Sequence, residues 1–339
     1  GRFSTPTPRG SAFFGQVHWN VQSTTATYDK SKPECARRQR ECITARPDHL
    51  LFAIDYSGVE LRIVTNLSLE PKWLAEFFRC SSCDHSFERG ELPPPFCPNC
   101  GSDKIGDLHS LTALGIYGGS SDSEDFKQKR QVGKIVNFLL CYGGGGNAVT
   151  RSTGVPKDEG WRIKNQFDKT YKGLVRWWES QHKTAAKQKY VTTAFGRKYP
   201  LPDMDHEQRG FREKAKRNAV NGPVQGSSAD IMKLAMGLLY REFKKREWLD
   251  RVFMTISIHD ELVFEIHKSI TSEAVPVIEH IMCVETVKNL GWAVPLKVDI
   301  EFGYDWTVPH NLTEMMWGKG GEWTPEFIDA FTLQYENFC

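Results

Sequence analysis

A hairpin of two β-rich runs constrains the fold of this chain more than any other segment. Val252–Ile258 and Leu262–Ile266 consist mainly of β-branched, aromatic and other apolar residues, and only three polar residues separate them. This pattern predicts two antiparallel strands joined by a tight turn. The turn residues are His259, Asp260 and Glu261, so the hairpin presents two acids at its tip.

A further acid ends another apolar run. Leu50–Ile54 predicts a short buried strand, and Asp55 follows it directly. A carboxylate in this position is costly to desolvate unless it meets water, a cation or a hydrogen-bond donor. On neighbouring strands of one sheet, Asp55 and Asp260 could chelate a divalent metal, since Mg²⁺ prefers oxygen ligands. From spacing alone, either aspartate is more often a cap or turn residue, and that alternative stays open here.

The rest of the chain has the helix and strand pattern of an α+β protein. A length of 339 residues suggests roughly two domains. The predicted helices cover about 58–69, most of 107–190 with an interruption at Gly143–Gly146, about 211–245 with a break near Gly222–Pro223, and about 271–290. Val294–Ile300 predicts a further strand. The glycine run follows a helix, which favours a flexible helix terminus over a phosphate loop.

Two C-x2-C pairs, separated by 13 residues, account for four of the nine cysteines. They are Cys80, Cys83, Cys97 and Cys100. Four thiolates at this spacing are typical of a closed tetrahedral zinc site, so we predict one structural Zn²⁺ in a zinc ribbon-like segment. His85 is the alternative ligand. The odd number of cysteines argues against a complete disulfide framework and favours a reducing compartment.

No segment predicts secretion or a membrane anchor. The first residues lack an apolar signal-peptide core. No apolar run approaches the roughly 18 residues needed to cross a bilayer. We therefore expect an intracellular, cytoplasmic protein. The formal net charge of +2 is too small to identify a partner, although basic residues cluster at 127–134 and 209–217.

Six short blocks occur in a fixed order along the chain. Three of them are Asp55–Arg62, Arg130–Phe138 followed by Tyr142-Gly143, and His259–Leu262. The others are Asp107–His109, Thr193–Arg197 and Pro223–Asp230. Together they resemble the family A (DNA polymerase I-like) DNA polymerases, the first three matching motifs A, B and C. The resemblance runs from Gly1 to about His310 and is interrupted by the cysteine segment.

This resemblance implies an α+β fold with a right-hand palm on an antiparallel sheet, helical fingers and an inserted zinc ribbon. The expected segments are 1–79 and 207–310 (palm), 80–101 (zinc ribbon), 102–206 (fingers) and 311–339 (C-terminal extension). The family's thumb and exonuclease-like domains lie upstream of where this chain begins. We therefore expect a split polymerase, in which a separate polypeptide supplies a thumb, or a thumb and a 3′–5′ exonuclease. It would work at the nucleoid or a viral replication site.

The resemblance also implies a reaction. Asp55 and Asp260 would bind two Mg²⁺ ions, with the carbonyl of Tyr56 as a third contact and Glu261 in a supporting role near the metals. A primer 3′-hydroxyl would attack the α-phosphate of a dNTP, and pyrophosphate would leave.

Nucleotide contacts are implied on the helix of the motif B match. Its cationic and aromatic residues recur every four positions, at Arg130, Lys134, Phe138 and Tyr142. The resemblance assigns Arg130, Lys134 and His109 to the triphosphate. Phe138 would contact the incoming nucleotide, and Tyr142 the insertion-site stack. On periodicity alone, the pattern fits an amphipathic helix that packs its aromatic residues.

Two further sets of contacts follow from the resemblance. Glu60 matches the family's steric gate against the 2′-hydroxyl, which predicts a preference for dNTPs over rNTPs. The residues that match primer–template contacts are Arg2, Arg212, Asn221, Gln225 and His259.

Two other functions remain open, a relative of the single-subunit RNA polymerases and a non-catalytic DNA-binding or assembly subunit with a polymerase-like shell.

Overall fold

The computed structural model describes residues 39–89, 93–94, 97–102, 105–121, 123–308 and 310–312. The expectations for Arg2, the rest of 1–38 and 313–339 lie outside the described residues. The chain divides into two compact units. The sheet unit comprises Gly1–Ser57, Met232–Thr286 and Val298–Cys339, and the helical unit comprises Gly58–Ile231 and Val287–Lys297.

Helices and strands together confirm the α+β class. The α-helices are α1 (Val59–Ser68), α2 (Pro71–Glu76), α3 (Leu108–Tyr117), α4 (Phe126–Cys141), α5 (Gly146–Thr153), α6 (Lys157–Thr170), α7 (Lys172–Gln188), α8 (Arg209–Lys245) and α9 (Thr271–His280). The strands are β1 (His49–Tyr56), β2 (Tyr190–Thr192), β3 (Lys198–Pro200), β4 (Val252–Ile258), β5 (Glu261–His267), β6 (Val298–Gly303) and β7 (His310–Asn311). Within the described ranges, no helix has the length and apolar character that crossing a membrane requires.

The sheet unit is built on a five-stranded sheet in the order β4-β5-β1-β6-β7. All four strand pairs are antiparallel. The predicted hairpin is confirmed as β4 and β5. Because β1 is buried along nearly its whole length, it reads as a continuous apolar run and not as an alternating one. It lies between β5 and β6, which fixes the surroundings of Asp55 at its end.

The helical unit packs around aromatic side chains of α2, α6 and α7. The ring of Trp73 is fully buried, with centroids 5.6 Å from Tyr171 and 6.5 Å from Phe167. The carboxylate of Glu70 caps α2 at the Lys72 amide and also accepts a hydrogen bond from the backbone N–H of Gly173. These contacts fix the helices that precede and follow α3 and α4.

The predicted break in the long helix is wrong, since α8 runs continuously from Arg209 to Lys245 with Pro223 inside it. Proline has no backbone N–H, so the helix lacks one hydrogen bond at this position. The carbonyl of Pro223 also accepts a hydrogen bond from the hydroxyl of Ser227 at 2.5 Å. Gly222 has a packing role instead, because a Cβ there would lie 2.9 Å from the ring of Tyr199.

The strand predicted at Val294–Ile300 begins only at Val298. Val294 is held by side-chain hydrogen bonds in place of a sheet ladder. Its N–H donates to Oδ1 of Asn66, and its carbonyl accepts from Nδ2 of Asn66, each at 2.9 Å. The helix predicted over 271–290 likewise changes at His280 into a π-helical turn, Ile281–Glu285.

The glycine run forms a short connection between two helices. Gly143 adopts φ +70° after α4, and α5 begins at Gly146. A Cβ at Gly146 would lie 2.5 Å from the indole of Trp161, so the start of α5 approaches α6 closely. The run therefore follows one helix and precedes the next, in agreement with the interruption predicted within the helical stretch 107–190.

Candidate active site

Four acids lie together at one end of the central strands of the sheet unit. Asp55 on β1 is in register with Glu261 on β5 and with Asp299 on β6. Asp260 occupies the turn before β5, and its carbonyl accepts a hydrogen bond from the backbone N–H of Tyr56 at 3.1 Å. The charge of Asp260 raises the pKa of Asp55, which indicates that the two carboxyl groups lie close together. The two predicted metal ligands, 205 positions apart in the chain, thus meet in space.

The neighbouring acids perturb the ionisation of Asp55. Burial, together with the charges of Asp260, Glu261 and Asp299, raises the pKa of Asp55 to about 7. The acidic cluster therefore holds a proton that an isolated carboxyl group would lose near pH 4. Clustered carboxylate oxygens are the donor set that Mg²⁺ prefers, so these residues fit a divalent cation.

Glu261 and Tyr56 are each fixed by a partner inside the sheet unit. The indole N–H of Trp306 donates to Oε1 of Glu261 at 3.2 Å. The hydroxyl of Tyr56 is buried and donates to the carbonyl of Met282 at 3.0 Å. The phenol of Tyr56 therefore lies in the core, and the predicted metal contact would come from its backbone carbonyl and not from its side chain.

Asp299 is a member of this cluster that the sequence analysis missed. Its signal was weak, since an acid between two apolar residues is ordinary for a strand with one solvated face. Only the pairing of β1 with β6, which sets Asp299 opposite Asp55, brings it to the other acids.

In the helical unit, Asp107 joins the start of α3 to α4. Its carboxylate accepts hydrogen bonds from the backbone N–H groups of His109 and Ser110 and so caps α3. The same carboxylate binds Arg130 at two points, at 2.8 Å from Nε and 3.1 Å from Nη2. A bidentate pair of this kind fixes the plane of the guanidinium group. The sequence analysis gave Asp107 no role.

His109 is held neutral beside the cationic face of α4. Burial, with the positive charges of Arg130 and Lys134 and against the opposing charge of Asp107, lowers the pKa of His109 to about 4. The ring lies 5.8 Å from that of Phe138, centroid to centroid. Lys134 and Phe138 are exposed. The structure thus brings together, on one surface of the helical unit, the residues predicted to bind the triphosphate and Phe138, which is predicted to contact the incoming nucleotide.

Tyr142 and Glu60 lie near the C-terminal end of α4. Tyr142 is the C-cap residue, and its hydroxyl is buried without a hydrogen-bond partner in the described part of the chain. Glu60 is in the first turn of α1. Burial raises the pKa of Cys141, and the charge of Glu60 adds to this effect, which indicates that Glu60 lies close to the last turn of α4.

The predicted DNA contacts have different surroundings. Asn221 and Gln225 are one turn apart on α8, and Oδ1 of Asn221 is buried without a partner among the described residues. His259 is exposed at the hairpin tip with φ +50°. The guanidinium of Arg212 donates to the carbonyls of His206 and Glu207, so it already has a local role in holding the start of α8. Arg2 lies outside the described residues.

The four cysteines of the C-x2-C pairs form a compact cluster. Their sulfur atoms all lie within 4.8 Å of one another. Cys80 and Cys100 are 3.6 Å apart at sulfur, as are Cys83 and Cys97. Zn–S bonds of 2.3 Å at tetrahedral angles place sulfurs about 3.8 Å apart, so the cluster fits one zinc ion.

Backbone turns and a hydrogen bond support a thiolate cluster here. Asp84 N–H donates to the carbonyl of Cys80, and Gly101 N–H donates to that of Cys97, giving each pair a matching turn. The side-chain amide of Asn99 donates to the sulfur of Cys83 and lowers the pKa of this thiol to about 6. In the described residues, the cluster consists of the cysteines without His85, whose ring packs on Phe87.

Comparison with known proteins identifies the family. The family model described as DNA polymerase family A matches residues 18–308, most of the chain. The chain therefore belongs to DNA polymerase family A.

Several relatives share this similarity. DNA polymerase I of Rhizobium leguminosarum is 28% identical over 275 residues, which cover 81% of this chain and 24% of that protein. The thermostable DNA polymerase I of Thermus aquaticus is 29% identical over 270 residues, 80% of this chain and 28% of that protein. The chain thus spans about a quarter of the length of these curated relatives.

A solved structure shows the same fold. It is the POL domain of Pol1 from M. smegmatis in complex with DNA primer–template and dNTP. The TM-score is 0.68 at 26% identity, and the similarity covers 85% of this chain and 45% of that one.

Proposed function

We propose that this chain carries the active site of a template-directed DNA polymerase, which adds dNTPs to a primer 3′-hydroxyl. The observation that carries the proposal is the proximity of Asp55 and Asp260, two acids from distant parts of the chain that meet at the end of the sheet, where the backbone N–H of Tyr56 donates to the carbonyl of Asp260. Membership of DNA polymerase family A and likeness to a domain solved with primer–template and dNTP support it.

Asp55 and Asp260 would hold two Mg²⁺ ions, with the carbonyl of Tyr56 as an additional ligand. When bound, these ions supply activation of the attacking hydroxyl and neutralisation of the leaving phosphate oxygen. The protein's part is to keep the carboxylates in register on a buried sheet. Glu261, fixed by Trp306, adds negative charge beside them.

The exposed face of α4 would bind the nucleotide. Arg130 and Lys134 supply positive charge for the triphosphate, and the neutral ring of His109 supplies a hydrogen-bond donor. Phe138 would stack on the incoming base, with Tyr142 at the insertion site. Glu60 would exclude the 2′-hydroxyl and so select dNTPs.

Primer–template DNA would be contacted by Asn221, Gln225 and His259, together with Arg212 and Arg2. The division into a palm (1–79 and 207–310), a zinc ribbon (80–101), fingers (102–206) and an extension (311–339) is part of the proposal. So is one structural Zn²⁺ held by the four clustered cysteines. The separate polypeptide with a thumb, or a thumb and an exonuclease, stays a sequence-based prediction.

Primer extension by Asp260→Asn tests the assignment. We expect extension to fall by about a thousandfold or more, because the variant removes a metal ligand and leaves the shape of the side chain intact. Primer–template binding, measured by fluorescence anisotropy, should change less than threefold. The matched control is Glu301→Gln, an exposed acid on β6 two residues beyond Asp299, which should extend normally.

Two outcomes would contradict the proposal. Undiminished extension by Asp260→Asn would refute the assigned chemistry. DNA binding by the wild-type chain without any extension, with Mg²⁺ and dNTPs present and candidate thumb polypeptides supplied, would favour a non-catalytic subunit. The same assay with rNTPs distinguishes an RNA polymerase, which would extend with rNTPs more efficiently than with dNTPs.

A further inference from the structure

The cysteine cluster and the start of α3 are joined by backbone contacts. Cys80 pairs with Ile105 in an isolated antiparallel bridge. The N–H of Gly106 donates to the carbonyl of Arg79 at 3.1 Å. The two residues that directly precede Asp107 are therefore held against the first cysteine of the cluster and its neighbour.

Side chains make a second connection. Glu76, at the end of α2, is 2% exposed and accepts hydrogen bonds from Nε and Nη2 of Arg79 at 2.9 and 2.7 Å. Its other oxygen accepts from the hydroxyl of Ser81 at 2.8 Å, and Ser81 lies between the first two cysteines. Glu76 is near enough to Asp107 for the two negative charges to interact. Thus Glu76 holds Arg79 and the first cysteine turn, and it lies near Asp107.

Asp107 in turn fixes the side chain of Arg130. It is well shielded, with a side chain 10% exposed, whereas that of Arg130 is 43% exposed. The carboxylate accepts hydrogen bonds from Nε and Nη2 of Arg130, and in the described part of the chain Nη1 has no such partner, so Nη1 can donate to a ligand. The side chain of an arginine fixed in this way is already ordered before a phosphate binds. Binding therefore costs less conformational entropy.

We propose that the cysteine cluster acts on nucleotide binding through Asp107. A metal ion bound by the cluster fixes Arg79 and Cys80, these hold Ile105 and Gly106, and Asp107 is thereby placed to position Arg130. Asp107 is a positioning residue, and the zinc site supports substrate affinity as well as local stability. This inference rests on the proposed role of Arg130 in binding the triphosphate.

The test measures the affinity for inorganic pyrophosphate by calorimetry, with and without the cluster metal, in the wild type and in Asp107→Asn. Asparagine caps a helix as well as aspartate does, so the variant removes the charge and keeps the cap. We expect metal removal to weaken pyrophosphate binding about tenfold in the wild type. Asp107→Asn should cause a similar loss by itself and show no further loss on metal removal.

Glu76→Gln repeats the test with the cluster metal in place, in case the metal-free protein unfolds. Glu76→Gln alone should weaken pyrophosphate binding relative to the wild type. Added to Asp107→Asn, it should have no further effect. The control is Glu88→Gln, an exposed acid of the same segment, which should change nothing. Zinc content, measured by mass spectrometry, should stay unchanged in both glutamine variants.

Equal losses on metal removal in the wild type and in Asp107→Asn would overturn the inference, since the two effects would then be independent. A kinetic readout separates positioning from general damage. Removal of the cluster metal should raise KM for dNTP and leave kcat nearly unchanged, whereas a fall in kcat alone would contradict the inference. Absence of all primer extension by the metal-loaded wild type, with candidate thumb polypeptides supplied, would contradict the proposed function, but the pyrophosphate measurements would still decide the inference.

Discussion

At the scale of single residues, the hydrogen bonds of Asn137 determine the tautomer of His109. The amide nitrogen of Asn137 donates to the carbonyl of Leu108 at 3.1 Å, and its oxygen accepts from the hydroxyl of Thr112 at 2.8 Å. The same nitrogen lies 3.1 Å from Nδ1 of His109 and must donate to it. The neutral ring therefore carries its proton on Nε2.

We predict that His109 titrates near pH 4 in an NMR experiment, because burial lowers its pKa to about 4 from an ordinary value of 6.5. The unfolded chain then binds more protons than the folded chain between these values, so the free energy of unfolding falls as the pH drops from 6.5 to 4. Relative to His109→Gln, the wild type should lose on the order of 1 kcal/mol, allowing for solvent screening at a partly exposed ring. Identical pH dependence in both proteins would contradict this prediction.

At the scale of elements, close approach of α3 and α4 depends on a glycine. A Cβ at Gly133 would lie 2.4 Å from the carbonyl oxygen of His109 and 3.1 Å from the backbone nitrogen of Ala113. Both neighbours are backbone atoms, so they can yield only by separating the helices. The spacing of the predicted nucleotide-binding residues on α3 and α4 thus rests on a position without a side chain.

Gly133→Ala should therefore destabilise the protein, by about 2 kcal/mol in urea unfolding, because overpacking outweighs the gain in helix propensity. Gly237→Ala is the matched control, since a Cβ at this position of α8 would meet nothing within 4 Å. There the better propensity of alanine should stabilise by up to about 1 kcal/mol. A neutral Gly133→Ala variant would show that the two helices can separate at little cost.

The cysteine cluster gives a second prediction at this scale. Purified protein should contain one zinc ion per chain, and Cys100→Ser should lose it, because a closed structural site needs all four thiolates. Cys42→Ser, an exposed cysteine outside the cluster, should keep the zinc. Mass spectrometry of the native protein checks both. Retention of a full zinc equivalent by Cys100→Ser would exclude the cluster as the site.

Elements with strong local signals were predicted from the sequence, and those that depend on distant contacts were not. The hairpin of β4 and β5 and the buried strand β1 follow from apolar runs with turn residues between them. Asp299 joins the acids only through strand register, which no local pattern reveals. The break predicted at Pro223 is wrong because helix packing on both sides overrides one missing backbone hydrogen bond.

At the scale of the whole molecule, the chain passes several times between the sheet unit and the helical unit. The last of these crossings is Val287–Lys297. This segment belongs to the helical unit, although the segments before and after it belong to the sheet unit. Two polar side chains of α1 hold this segment. Arg62 donates to the carbonyl of Pro295 at 2.6 Å, and Asn66 makes its paired bonds to Val294. The helical unit is therefore complete only when late residues have returned to it.

Because Asn66 holds this late segment in the helical unit, we predict that Asn66→Ala strongly lowers the free energy of unfolding. The change leaves the N–H and the carbonyl of Val294, a fully buried residue, without their partners, and each unsatisfied buried group costs about 1–3 kcal/mol. The free energy of unfolding should drop by at least about 2 kcal/mol, and amide hydrogens in 287–297 should exchange faster. Asn147→Ala is the control, because Asn147 is exposed and, among the described residues, its side chain accepts only from the exposed indole of Trp161, so its loss should cost under about 1 kcal/mol. Slow exchange in 287–297 despite Asn66→Ala would show that packing of Val294, and not its hydrogen bonds, closes the helical unit.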